Sequence, residues 1–111
     1  MGLTNNKNSL PLSAISPEVI EGWKVKHGNV YQITTEGKTG YFRELTKRDF
    51  LPHNHKKIMG KNHRQTCFNI IKATWLGGDN EFVTDADFMT AAVNQLEPVF
   101  QQNIKEYNSK F

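Results

Sequence analysis

The segment from Trp75 to Asp85 constrains the fold most, because it ends one element and begins another within eleven residues. Gly77 and Gly78 are typical of a helix stop followed by a turn. The Thr84-Asp85-Ala86-Asp87 run has the pattern of a capping box, which opens a helix. We therefore predict that an apolar helix ends at Gly77 and that another begins near Asp85, and so short a joint fixes how the two helices meet.

Length and composition predict a single folded domain. The chain has 111 residues, of which 37% are apolar and 23% charged, as in ordinary globular proteins. No apolar run approaches the roughly 18 residues that a membrane span needs, and the N-terminus lacks the apolar core of a secretory signal. We expect a cytoplasmic protein without membrane contact, located in the host cytoplasm if a phage encodes it. The single cysteine, Cys67, is expected to be a buried and inert thiol.

Charge is distributed unevenly along the chain. Residues 22–72 contain eleven Lys and Arg against three Asp and Glu, whereas residues 73–111 contain two against six. Such polarity can steer an anionic partner to one half, let two copies associate head to tail, or be neutralised within the fold. A homo-oligomer therefore remains one of the open alternatives, beside a solvated surface whose charges partly cancel.

The first part of the chain predicts an arm, a helix and a hairpin. Residues 1–15 lack any period and are expected to form a flexible N-terminal arm, which leaves 16–111 as the domain. Ser16-Pro17-Glu18 has the residues of a helix start, so we predict a helix over 17–27. Two alternating segments, Val30–Thr35 and Thr39–Leu45, then predict a hairpin around Glu36-Gly37-Lys38. Its open edges are a candidate interaction surface, because a lone hairpin must pack or pair.

The second part predicts helices. Thr46 and Asp49 form a capping-box pattern that predicts a short helix from Lys47, and Pro52 and Gly60 favour a loop or frayed turn over 52–61. Apolar spacing predicts helices over about 62–76 and 85–108, the latter bent or divided at Pro98. The expected fold is α+β, a small single domain with one β-hairpin packed with three to four α-helices.

The end of the final helix is a candidate partner-binding face. Phe100, Ile104, Tyr107 and Phe111 recur at helical spacing, and such a stripe can dock in the groove of another protein. The alternative is that these residues complete the protein's own core.

Possible catalytic and metal-binding patterns are weak. His53, His55, His63 and Cys67 have zinc-ligand chemistry, but their spacing matches no usual zinc motif. Gly77-Gly78-Asp79 follows a predicted helix and lacks the Lys-Ser/Thr of a P-loop, and Asp85 and Asp87 are better explained as cap residues. We predict no enzyme, no catalytic residue, no metal and no cofactor.

A basic cluster gives an alternative function. Lys56, Lys57, Lys61 and Arg64 lie among histidines and form the densest positive patch of the chain, which is typical of phosphate contacts. No aromatic residue is interleaved for base stacking. The cluster indicates nucleic-acid binding, or inhibition of a nucleic-acid-guided defence system, as the alternative to protein binding.

Several segments together resemble a known family. A capped helix ending in Trp23–Gly28, a strand at Val30–Thr34, a return strand through Tyr41–Thr46, a helix ending in Ala73–Asp79 and an acidic-capped last helix are the features concerned. Over about 17–97 the chain is similar to the small tail assembly chaperone proteins of tailed bacteriophages, particularly those of Bacteroides-type phages and prophages. The resemblance implies a non-enzymatic protein that binds a tape measure or tail-tube protein and keeps aggregation-prone segments soluble until the tail is built.

One segment departs from this family pattern. An alanine-rich helix is expected after the Thr46 cap, where this chain has Leu51-Pro52-His53-Asn54-His55 and a basic segment. The extension past Pro98 also lies outside the similarity.

Overall fold

The computed structural model of the protein describes residues 10–109, which form an antiparallel sheet with helices on both faces. The fold is α+β, as predicted, with three strands and five α-helices in the described part of the chain. The strands are β1 (Val30–Thr35), β2 (Lys38–Arg43) and β3 (Trp75–Gly78), in that spatial order. The helices are α1 (Pro17–His27), α2 (Pro52–Ile58), α3 (His63–Thr74), α4 (Glu81–Thr84) and α5 (Ala86–Ser109), and 3-10 turns lie at Leu12–Ala14 and Lys47–Phe50.

The start and end of α1 confirm the sequence prediction. The Val19 amide donates to the Ser16 hydroxyl at 3.2 Å, and Pro17 occupies the first helical position. Gly28 ends the helix with a φ of 88°, and its amide donates to the Lys24 carbonyl at 2.9 Å. Local residue chemistry therefore determines both ends of this helix.

The hairpin is also confirmed, with β1 paired antiparallel to β2 from Val30 opposite Arg43 to Thr35 opposite Lys38. Glu36 and Gly37 form the two-residue turn with φ values of 48° and 78°. Two consecutive left-handed residues are typical of the turn whose twist matches that of the strands. Strand β2 ends at Arg43, two residues earlier than expected.

The prediction of a helix through Leu76 was wrong, because α3 ends at Thr74 and Trp75–Gly78 forms β3. Strand β3 pairs antiparallel with β2, and Gly78 lies opposite Gly40. A Cβ atom on Gly78 would lie 2.4 Å from the Thr39 carbonyl oxygen, so no larger residue fits there without movement. The glycines permit close approach of two strands instead of stopping a helix.

The prediction of a loop or frayed turn over 52–61 was wrong for Pro52–Ile58, which forms α2, and right for residues 59–61. Pro52 occupies the first turn, where its fixed φ suits a helix and its missing amide is not needed. The Thr46–Asp49 capping box is present but opens a 3-10 turn, Lys47–Phe50. A short helix, α4, was not predicted, and Asp85 caps α5 by accepting from the amides of Asp87 and Phe88 at 2.9 and 3.3 Å.

Apolar residues form one cluster on each face of the sheet. Tyr41 and Phe42 are neighbours in β2 and therefore point to opposite faces. The larger cluster lies between the sheet and helices α2 to α5, and its most buried members are Phe42, Ile71, Phe82, Ala92 and Leu96. The smaller cluster lies beneath α1 and consists of Trp23, Tyr41 and Leu76, with Leu10, Ile15, Val19, Ile20 and Val30 packed against it. This arrangement makes β2 the buried centre of the molecule.

Residues 10–15 of the predicted arm contact the sheet. Leu10 forms a parallel bridge with Gly77, and the Gly78 amide donates to the Leu10 carbonyl at 2.8 Å. The prediction for residues 1–9 lies outside the described residues. Helix α5 continues through Pro98 and is not divided there. None of the helices in the described part is both long and apolar enough to cross a membrane.

Candidate functional site

Strand β1 forms an open edge of the sheet. Its one hydrogen-bonded neighbour among residues 10–109 is β2, because the sheet order is β1-β2-β3. Gln32 and Thr34 are exposed on this strand, whereas Ile33 is buried in the larger core cluster. The strand is thus fixed on one face and accessible along its outer side.

The backbone groups that point outward from β1 can be assigned from its pairing with β2. The Thr39 amide donates to an Asp79 carboxylate oxygen at 2.9 Å, and the Thr39 carbonyl accepts from the Asp79 amide at 2.8 Å. Both backbone groups of Thr39 therefore point away from β1, so its partner Thr34 is in a non-hydrogen-bonded pair. It follows that the amides and carbonyls of Thr34 and, two residues away, Gln32 point to the outside of the sheet.

A basic cleft of about 520 Å³ opens at the end of β2. The end of α1 and the end of α3 meet there with the continuous stretch from the end of β2 through the 3-10 turn to helix α2. Its cationic lining residues are Lys26, Arg43, Arg48 and Lys57, with His27 and Asn54 beside them. This set indicates a site for an anionic group.

An ion pair forms one wall of the cleft. The Arg43 guanidinium donates to both carboxylate oxygens of Asp49 at 2.8 and 2.9 Å. It also donates to the carbonyls of Glu44 and Ala73, at 2.9 and 3.2 Å. Burial raises the pKa of Asp49, but hydrogen bonds from Arg43 and Thr46 outweigh this and hold the pKa below its ordinary value. Arg43 is therefore a structural cation that joins β2 to α3.

The remaining cations of the cleft are available to a ligand. Lys26, Arg48 and Lys57 are exposed, and none forms an ion pair with a carboxylate of residues 10–109. Burial and the nearby charges of Arg43 and Lys26 lower the pKa of His27, so its ring is mainly neutral near pH 7. Acidification would add a positive charge at this position.

The predicted basic cluster is divided between different surfaces. Lys57 lines the cleft, whereas Lys56, Lys61 and Arg64 do not. The Arg64 guanidinium lies over the Phe68 ring, 5.0 Å from its centroid. Neither Lys26 nor Arg48 was singled out from sequence: Lys26 comes near α2 only through the packing of α1, and Arg48 lies in the 3-10 turn just before α2, outside the basic cluster.

The predicted partner-binding stripe is mostly directed inward. Phe100 is 6% exposed in the larger core cluster, and Ile104 packs against that cluster. The Tyr107 ring stacks on Phe50 with centroids 4.3 Å apart. Phe111 lies outside the described residues. These placements correspond to the alternative interpretation, in which the stripe completes the protein's own core.

The four residues of the predicted histidine and cysteine pattern do not converge on one point. His63 and Cys67 lie near Glu97 of α5, and these three form the group of potential metal ligands found among the described residues. His53 and His55 belong to α2 and are not members of it. Glu97 was missed because its partners are on a different helix.

Comparisons with protein-family models, with curated proteins and with solved structures find no significant match to this chain. Function is therefore inferred from the surface geometry and from the resemblance of the sequence.

Proposed function

We propose that the protein is a non-enzymatic binding protein that adds an extended segment of another protein to the open edge of β1. From the resemblance, the partner is a tape measure or tail-tube protein, and the role is that of a phage tail assembly chaperone. The single observation that supports strand addition is the outward direction of the Gln32 and Thr34 backbone groups on an exposed strand.

Strand addition suits the role because an unassembled tail component has unpaired backbone amides and carbonyls. Pairing with an edge strand satisfies these groups and blocks pairing with another aggregation-prone segment. Affinity then comes mainly from the backbone, so partners of varied sequence can bind.

Gly78 and Asp79, which belong to one of the segments that resemble the tail chaperone family, stabilise the sheet that presents the β1 edge. Gly78 allows β3 to approach β2, and Asp79 holds the backbone of Thr39. Both contacts hold β2 on the side opposite β1. The Gly-Gly-Asp segment, which the resemblance places at the end of a helix, belongs here to β3 and the residue after it, and it supports the sheet that presents the open edge.

A proline substitution on β1 tests the proposal. Thr34→Pro removes the outward amide and keeps the backbone hydrogen bonds to β2, so the variant should fold. It also removes the 3.1 Å contact between the Thr34 and Thr39 hydroxyls, as Thr34→Ala does. In a co-purification with the tape measure and tail-tube proteins encoded beside it, Thr34→Pro should reduce the retained partner at least tenfold. Thr34→Ala preserves the amide and should retain the partner. Equal retention by Thr34→Pro and wild type, or no retention of either tail component by wild type, would contradict the proposal.

The basic cleft favours a second candidate function, the binding of nucleic-acid phosphates. Lys26, Arg48 and Lys57 present unpaired cations around a cavity wide enough for a phosphate group. Phosphate contacts release counterions, so such binding weakens steeply with salt. The absence of interleaved aromatic residues favours backbone contacts over base recognition.

Neighbouring lysines of α2 provide a matched test. Lys57→Glu should weaken the binding of labelled single-stranded DNA or RNA roughly tenfold at low salt and reduce its salt dependence, whereas Lys56→Glu should have a smaller effect. Binding should also tighten as the pH falls below the ordinary histidine range and His27 gains a proton, and His27→Gln should remove that contribution. Equal effects of the two lysine variants, or no binding at low salt, would exclude the cleft as a phosphate site.

A further inference from the structure

Three side chains of different chemistry meet where α3 packs beside α5. His63 and Cys67 are four residues apart on α3, which places them on the same helix face. The His63 Nε2 atom lies 3.2 Å from a Glu97 carboxylate oxygen and 3.5 Å from the Cys67 sulfur. One donor atom from each residue lies within 4.8 Å of the other two.

We propose that His63, Cys67 and Glu97 form a zinc-binding site that links the first turns of α3 to the middle of α5. Zinc accepts nitrogen, sulfur and carboxylate oxygen, and sites with three protein ligands keep a fourth position for water. The site is independent of the open edge and of the basic cleft.

Two of the three distances between ligand atoms fit tetrahedral zinc, and the third, between the Cys67 sulfur and a Glu97 oxygen, is at most 4.8 Å. With Zn–N and Zn–O distances of about 2.1 Å and Zn–S of about 2.3 Å, tetrahedral geometry puts nitrogen and oxygen roughly 3.4 Å apart, and nitrogen and sulfur roughly 3.6 Å apart. The corresponding distances here are 3.2 and 3.5 Å. An ion could therefore enter between the ligands with only small side-chain movements.

The surroundings allow exchange with solvent. The His63 side chain is 74% exposed and that of Glu97 is 40% exposed, so a metal ion and its water ligand can reach the site. Burial, and then the charge of Glu97, raise the pKa of the Cys67 thiol, which keeps the free thiol protonated at neutral pH. On binding, the thiol proton passes to solvent and the thiolate sulfur bonds to zinc. The carboxylate and thiolate together neutralise the charge of the ion.

Cobalt substitution provides the direct test. Tag-free reduced protein titrated with Co²⁺ should develop a thiolate-to-cobalt charge-transfer band together with the visible bands of a tetrahedral ion, and Zn²⁺ should displace both. Cys67→Ser should abolish the charge-transfer band. His63→Gln, at an exposed position where folding is not at risk, should weaken Zn²⁺ binding at least tenfold in calorimetry, and Glu97→Gln should also weaken it.

His55→Gln is the matched control, because this histidine lies on α2 outside the group. It should bind Zn²⁺ as wild type does, and Zn²⁺ should raise the melting temperature of both proteins but not that of His63→Gln. The proposal would be overturned by wild-type protein that binds no Zn²⁺ at a tenfold excess, or by binding that survives His63→Gln and Cys67→Ser but is lost in His55→Gln.

Discussion

The two edges of the sheet differ in how their backbone groups are satisfied. On the β3 side, Leu10 bridges Gly77 and accepts from the Gly78 amide, so an additional segment covers the edge. On the β1 side, Gln32 and Thr34 are exposed, and no further segment of residues 10–109 pairs with the strand. Natural sheets usually cover or disrupt their edges to prevent aggregation. This contrast is the basis for the proposal that a partner segment pairs with the β1 edge.

Proline substitutions at Thr34 and Thr39, which lie opposite each other in the hairpin, should give the largest difference in stability between the two sides of the sheet. Thr39→Pro removes the amide that donates to Asp79 and should lower the free energy of unfolding by about 3 kcal/mol. Thr34→Pro, across the hairpin, should cost less than about 1 kcal/mol because its amide points outward. Urea unfolding of both variants measures the difference. Similar losses would show that the β1 edge is not open.

Replacement of Gly78 in β3 by alanine should give the next largest loss of stability, and the same replacement of Gly37 in the hairpin turn is its comparison. Gly78→Ala meets the Thr39 carbonyl and requires a φ of 122°, so we expect a loss of about 2–3 kcal/mol in unfolding free energy. Gly37→Ala in the hairpin turn has a φ of 78° but no atom within 4 Å, and should cost only about 1 kcal/mol. If thermal unfolding shows equal losses of unfolding free energy in the two variants, the positive φ alone explains the need for glycine at position 78, without the close approach of Thr39.

Removal of one carboxylate should have a smaller effect. Asp79→Ala leaves the Thr39 amide without its 2.9 Å acceptor and should cost about 1–2 kcal/mol. The surface pair of Lys38 and Glu81, at 3.4 Å, is a control for loss of a carboxylate at an exposed site. Glu81→Ala should change the unfolding free energy by less than about 1 kcal/mol. A larger effect of Glu81→Ala than of Asp79→Ala would contradict this assignment.

A pH-dependent effect on stability should appear at the end of β2, where Asp49 lies. The pKa of Asp49 is lower in the folded than in the unfolded state, so its contribution to stability is present above about pH 4 and is lost as pH falls toward the folded pKa. Asp49→Asn should be less stable than wild type at neutral pH, and the gap should narrow from pH 5 to pH 3. If the stability difference between wild type and Asp49→Asn grows as the pH falls, the pKa of Asp49 is raised by folding and not lowered.

The elements predicted correctly from sequence are those determined by residues near one another. Ser16, Pro17 and Gly28 define α1 through local caps, and Glu36-Gly37 defines the turn of the hairpin. Strand β3 could not be predicted in this way, because its register depends on β2, more than 30 residues earlier. A pair of glycines after an apolar run is equally typical of a helix end, and only the position of Gly40 opposite Gly78 distinguishes the two.

The candidate sites were less predictable than the fold. Lys57 was identified within a basic segment, but Lys26 joins it only through tertiary packing. The same holds for Glu97, which approaches His63 and Cys67 across two helices. The stripe containing Phe100 could not be assigned to core or surface by spacing, since both uses require the same helical period.

The bridge between Leu10 and Gly77 also has a consequence for the order of assembly during synthesis. Leu10 leaves the ribosome before any other described residue, yet its partner emerges only after the hairpin, α2 and α3. The hairpin can form early, because its contacts are local, whereas closure of the far edge must wait for most of the chain. We expect hydrogen exchange during refolding to show protection of the Ile33 amide well before that of Gly78, so that Leu10, although synthesised before its partner, pairs only at a late stage.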